Sequence, residues 1–149
     1  MSLNILKQGD KLLNQKSKRI SKIDDSLRNF CKSMIDTMYE NNGVGLSAPQ
    51  VGVLKRIIVV LDENKPLVMI NPEIVEASEE KVLMNEGCLS VPNEYHDLER
   101  SKSVKVKYRD TKGKPNIKLL DGMTARIVQH EIDHLDGKLF VEYLDKAST

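Results

Sequence analysis

QHEIDHLDG, residues 129–137, packs two histidines and a glutamate into five positions of a chain with only three histidines. On a helix turning about 100° per residue, His130 and His134 lie about 40° apart and about 6 Å along the axis. Two imidazoles so spaced can meet one ion. Met123, Arg126 and Ile127 share that face one and two turns earlier. Val128, Ile132 and Leu135 draw a second apolar stripe, and Gln129, Asp133 and Asp136 fill the gap, where water or a polar rim is expected. A helix apolar on two sides crosses an interior, so the histidines should point inward. Glu131 falls between the histidine face and the second stripe, where a carboxylate is costly unless hydrogen-bonded or used as a base. The spacing predicts a helix over about 123–136, with Asp121 as N-cap and Gly137 as stop.

Working outward, residues 24–42 predict a second helix. Leu27, Phe30, Cys31, Met34, Ile35 and Met38 recur at three- and four-residue steps. Asp24 or Ser21 can cap it and Asn42-Gly43 ends it. Cys31 lies within the stripe and reads as a small buried apolar residue. Residues 56–61 and 67–70 read as strands around a turn, 74–77 with 81–84 as a short hairpin, and 103–108 and 117–120 as further strands. Val104, Val106 and Tyr108 alternate with Lys105 and Lys107. Residues 139–144 form a short final segment. Helix, strands, helix predicts an α+β fold: a mainly antiparallel sheet packed around a central HExxH helix, with an N-terminal helix.

The 149 residues suit a single catalytic domain. A net charge of +1 and a pI near 7.7 give no electrostatic reason to expect DNA or membrane partners. Lys7, Lys11, Lys16, Lys18, Arg19 and Lys22 stand against Asp10 alone, which reads as a solvated basic face. No apolar run is long enough to span a bilayer, and the start MSLNILKQGD lacks a signal-peptide core. A reducing cytoplasm is the expected location, with Cys31 and Cys88 unpaired.

A catalytic zinc-type site takes three protein ligands and keeps an open position. Downstream of His134 stand only the acids Asp136, Glu142 and Asp145, all soon after the helix stop. Upstream, His96 lies in EYHDLER, which reads as a polar loop, and is expected to be a surface histidine. Cys88, in NEGCLSVP, is the favoured third ligand. As thiolate it is a strong soft donor, and Gly87 lets backbone approach a bound atom. A third stretch, NNGVGLSAPQVG (41–52), has glycines flanking Val44, but no lysine follows and no strand precedes, so it is no phosphate loop. It is either an irregular turn or backbone lying beside a ligand, with Gln50 as a placed amide donor.

GVGLSAPQ (43–50), EGCLS (86–90) and QHEIDH (129–134), in this order, closely resemble peptide deformylase, and the resemblance extends from the first helix to LFVEYL. It implies a metallohydrolase that removes the formyl group from N-formylmethionyl peptides and releases formate. By matching position, Cys88, His130 and His134 are implied metal ligands and Glu131 the general acid/base. Gln50 and the Leu89 backbone N–H are implied oxyanion donors. Gly43, Val44, Gly45, Leu46, Met123, Arg126 and Ile127 are the expected substrate contacts. The donor types alone suggest zinc. The resemblance implies Fe²⁺ in the cell, with Ni²⁺ or Co²⁺ active and Zn²⁺ a poorer substitute. Transient ribosome contact is a further implied partner. Many relatives continue into a C-terminal helix linked in some to ribosome docking; this sequence ends fifteen residues after His134, so docking by that route is not expected. Many also carry an arginine near position 95, where this chain has Tyr95. Arg100 remains to bind substrate backbone or pair with a carboxylate such as Asp133. The alternative activity is that of a small HExxH metallopeptidase, which shares the metal and Glu131 but cleaves internal bonds.

Overall fold

The computed structural model describes residues 2–143. Helix α1 (Asp25–Glu40) forms where the three- and four-residue apolar spacing lies, and Leu27, Cys31, Met34 and Met38 are its buried stripe. Asp24 caps it by accepting the Leu27 N–H at 2.9 Å. At its other end Asn42 has φ 56° and the Gly43 N–H returns to the Met38 carbonyl at 2.9 Å, which stops the helix. Short strand β1 (Gly45–Ser47) and a 3-10 turn (Ala48–Val51) follow. Strands β2 (Ile57–Asp62), β3 (Lys65–Ala77), β6 (Ser103–Arg109) and β7 (Pro115–Asp121) complete a five-stranded antiparallel sheet in the order β1-β2-β3-β6-β7. Strands β4 (Lys81–Cys88) and β5 (Val91–Ser101) make a separate two-stranded sheet.

Two expectations fail here. Residues 74–77 and 81–84 do not pair with each other. The first continues β3, bulged, against β6; the second pairs with 98–101 of β5. The polar stretch EYHDLER is likewise strand, not loop. In the β4–β5 pair burial alternates along β4, but buried Glu86 and Arg100 are charged and exposed Leu83 is apolar, so no two-residue apolar alternation marks the pairing.

Helix α2 (Gly122–Leu135) lies on one face of the large sheet and α1 on the other. Strand β2 is buried on both faces. Ile58 and Val60 pack with Ala125, Val128, Ile132 and Leu135, while Ile57 and Val59 pack with Leu27, Met34 and Met38. That explains its unbroken apolar run. Asp121 occupies the N-cap position of α2, but its side chain makes no capping bond. Gly137 (φ 78°) follows the helix, and a Cβ there would stand 2.7 Å from the Asn14 carbonyl oxygen. Leu139 and Phe140 close a third apolar cluster with Leu13, Val91 and Leu98. The end of the expected final segment, Leu144, and the candidate Asp145 lie outside the described residues.

Candidate metal centre and active site

Helix α2 carries His130, Glu131 and His134 into the interior; all three are buried. Cys88 ends β4, and its sulfur lies 3.3 Å from His134 Nε2. Donor atoms of Cys88, His130 and His134 all fall within 4.8 Å of one another. A tetrahedral ion with two nitrogens at about 2.0–2.1 Å and a sulfur at about 2.3 Å would hold them about 3.3–3.6 Å apart. His134 Nδ1 and Glu131 Oε1 are buried with no hydrogen-bond partner among the described residues. His134 meets Cys88 through Nε2, so its Nδ1 is the non-ligating nitrogen; the orphaned Glu131 oxygen beside one soft and two borderline donors fits a cation site. The other candidate ligands lie elsewhere. Asp136 pairs with Arg56 at 3.0 Å, Glu142 accepts from Asn14 at 2.9 Å, and His96, half-buried on β5, lies 3.3 Å from Glu94.

Glu86 is the residue that sequence reasoning passed over. It is buried, and its carboxylate takes His130 Nδ1 at 2.9 Å, Arg100 through Nε (2.8 Å) and Nη2 (2.9 Å), and Arg126 Nη1. Engaging Nδ1 leaves His130 Nε2 as its donor. Arg100 continues to Asp133 at 2.7 Å, which also accepts from the Tyr143 hydroxyl at 2.7 Å. Asp133 and Gln129, expected to face a polar rim, are thus tied to neighbouring elements; Gln129 bonds the Ser101 backbone. This charge chain fastens the small sheet to α2 and so fixes Cys88 relative to the histidines. Its one legible signal was a glutamate two residues before Cys88, with two arginines needing partners.

Electrostatics follow from that packing. Burial would raise Glu86, but its bonds to His130 and Arg100 hold it at about 2. Burial would lower His130, yet Cys88, Glu86 and the Glu131 charge lift it to about 10. The surroundings therefore favour a positive charge at His130. His134 is held well below its ordinary range, by burial first and then by the His130 and Arg100 charges. Burial pushes Glu131 up to about 7.

The remaining expected site residues gather around a cavity of about 570 Å³ lined by Gly43, Val44, Gly45, Gln50, Cys88, Leu89, Met123, Arg126, Ile127, His130 and Glu131, among others. Gln50 is oriented by its other end: its Oε1 accepts from the Ser47 N–H and hydroxyl, both at 3.0 Å. Its amide nitrogen then points to Cys88 Sγ (3.6 Å) and Ser90 Oγ (3.2 Å). Leu89 and Ser90 form the two-residue connection between β4 and β5, where Cys88 pairs with Val91. Central N–H groups of such a turn are not spent on the ladder. Arg126 lines the wall with its stem while Glu86 and the Val82 carbonyl hold its head.

Leu46 is the exception. It is fully buried and packs in the α1-side core, not on the cavity. Side chains alternate along β1: Gly45 pairs with Val60 on the α2 side, and Leu46 with Val59 on the α1 side. Gly45 is needed where it stands, because a Cβ would lie 2.6 Å from Ile127 Cγ2 and 2.7 Å from Glu131 Oε2. Gly45→Ala is expected to displace Glu131 and lower turnover about 100-fold, since a displacement near 1 Å costs that much. Formate release measured beside thermal unfolding checks this: a near-normal rate in the folded variant contradicts it.

The family model for polypeptide deformylase matches residues 2–149. The chain belongs to the polypeptide deformylase family. It is 50% identical over 142 residues to the peptide deformylase of Synechocystis sp., covering 92% of this chain and 76% of that protein. The crystal structure of the Thermotoga maritima peptide deformylase superposes with a TM-score of 0.93 at 43% identity, covering 95% of this chain and 97% of that one. A Met-Ala-Ser-bound class I type b peptide deformylase from Acinetobacter baumannii gives 0.93 at 42% identity, covering 95% and 98%. The α+β architecture is the deformylase fold. Peptide deformylases are metal-dependent hydrolases, and this one removes the N-formyl group from nascent peptides. The HExxH metallopeptidase alternative finds no support in these relatives. No helix among the described residues is long and apolar enough to cross a membrane.

Proposed function

We propose that the 149 residues act as one catalytic domain in which Cys88, His130 and His134 hold a divalent ion beside an open substrate cavity. The observation that carries this reading is the convergence of those three donors within 4.8 Å, with Cys88 and His130 on the wall of the cavity that Gln50, Leu89 and Glu131 also line. When bound, the ion supplies Lewis acidity, bringing the pKa of water from about 15.7 toward about 7.

The chain's own groups do the rest. Glu131 takes the proton of the attacking water and passes it to the leaving amine nitrogen. Its burial, and an Oε1 with no partner among the described residues, suit a base that must be free to move a proton. Gln50 Nε2 and the Leu89 N–H donate to the oxygen that becomes negative as water adds to the formyl carbon. Val44, Met123 and Ile127, with Gly43, Gly45 and the Arg126 stem, form the wall for the methionine side chain. Burial in this cleft also excludes bulk water from the reacting carbon.

Fe²⁺ is the ion we assign in the cell, with Ni²⁺ or Co²⁺ as active substitutes and Zn²⁺ a poorer one. An oxidisable ion beside a thiolate should make activity oxygen-sensitive. The cytoplasm, with transient ribosome contact, is the setting in which such a domain meets nascent chains. Cobalt substitution tests the ligand set: a thiolate-to-metal charge-transfer band should appear and vanish in Cys88→Ser. An unchanged band in that variant contradicts the assignment. Glu86→Gln should keep the band but weaken metal binding about 10- to 100-fold, because the His130 orientation is lost. Equilibrium dialysis reads that loss, and unaltered affinity would remove Glu86 from the centre.

A further inference from the structure

We propose that Lys7 is a specificity-determining cation that receives an acidic side chain at the second or third residue of the formylated peptide; the inference rests on the site reading above. Lys7 lines the same cavity. It sits in an N-terminal arm threaded between the two halves of the site. The Leu6 N–H donates to the Gln50 carbonyl and the Gln8 N–H to the Ser90 carbonyl, each at 2.7 Å. The backbone of Lys7 is therefore pinned on both sides. Its Nζ donates to the Leu89 carbonyl at 3.2 Å, placing the ammonium one residue from Cys88.

Charge makes this position distinctive. The other cation on the cavity wall, Arg126, is spent on buried Glu86. Lys7 is exposed and has no ion-pair partner among the described residues. The neighbouring polar wall is neutral: Asn41, Asn42, Asn85 and Asn93. An ammonium has three donors, and one bond to Leu89 leaves two for an incoming carboxylate. An extended peptide advances about 3.3 Å per residue. With the formyl group at the Cys88–histidine cluster, the second and third residues come within reach of a rim group one residue from Cys88. The pinned arm limits the ordering cost of that contact.

The test compares kcat/KM for C-terminally amidated formyl-Met-Glu-Ser, formyl-Met-Ala-Ser and formyl-Met-Lys-Ser, and for formyl-Met-Ala-Glu against formyl-Met-Ala-Lys. Amidation removes the terminal carboxylate that would itself engage Lys7. At low salt the glutamate peptide should exceed the lysine peptide about 3- to 20-fold at one of the two positions, the range for an exposed pair gained against a like-charge contact. The ratio should shrink toward one in 0.5 M salt, as screening reaches rim charges. It should fall to about one in Lys7→Met and invert in Lys7→Glu. Each ratio is read within a single enzyme preparation, so losses of metal or folded protein cancel. If Lys7→Glu does not fold, Lys7→Met and the salt series still decide. Equal rates for glutamate and lysine peptides, or a preference that survives Lys7→Met, overturn the proposal. Formate release from none of the peptides by the unaltered protein would instead defeat the deformylase reading beneath it.

Discussion

Replacing Glu131 with glutamine is expected to lower formate release about 10²- to 10⁴-fold, the range for a positioned general acid/base, while the protein keeps its metal. Glu131 is buried on α2 between the two histidines, with Oε1 lacking a partner among the described residues and Oε2 near the Gly45 backbone. Burial is the largest of several influences that push its carboxyl up to about 7, and the His130 and Arg100 charges oppose it. A bound cation would draw that value down and favour the carboxylate, the form the proposed base needs. Glutamine preserves shape and packing but cannot carry the proton. Turnover kinetics beside metal content check the claim: a loss of metal matching the loss of rate would assign Glu131 a structural part instead.

Gln50→Ala is expected to cost about 100- to 1000-fold in turnover, the effect of removing one oxyanion donor, or about 2.7–4 kcal/mol. Ser47 holds the Gln50 carbonyl end at two points, which aims the amide nitrogen at Ser90 Oγ and Cys88 Sγ. In the proposed mechanism such a preorganised donor would reorient little as negative charge develops on the substrate oxygen. Alanine leaves the metal donors untouched, so kcat should fall with metal content unchanged. A near-normal kcat would remove Gln50 from the mechanism and leave Leu89 as the only donor.

Much of this centre was legible in the chain because its information is local. The helical spacing of His130, Glu131 and His134 is a four-residue pattern, and α1 announces itself through periodicity and the Asp24 cap. What escaped depends on long-range pairing. Glu86 acts through a bond to a histidine 44 residues away and through Arg100 and Arg126, none of which shares an element with it. The β4–β5 pair escaped because its buried positions include the charged Glu86 and Arg100 while apolar Leu83 is exposed, so burial alternates without an apolar pattern to mark it. Leu46 was misplaced by treating GVGLSAPQ as a continuous ligand-facing stretch. Its middle is a strand, and successive side chains of a strand face opposite ways. Resemblance aligned the motifs, but only the three-dimensional packing showed that the Arg126 head serves Glu86 and that the N-terminal arm reaches the site.

The proposed chemistry is hydrolysis of a formyl amide at a Cys88–His130–His134 metal centre with Glu131 as its base. Formate release from formyl-Met-Ala-Ser by protein reconstituted anaerobically with Fe²⁺ tests it most directly, with Glu131→Gln assayed alongside. The expected result is one formate and one intact Met-Ala-Ser per turnover, near-abolished in the metal-replete variant and lost from the unaltered protein on exposure to air. Cleavage of the peptide chain, or equal formate release by the Glu131 variant, would contradict it.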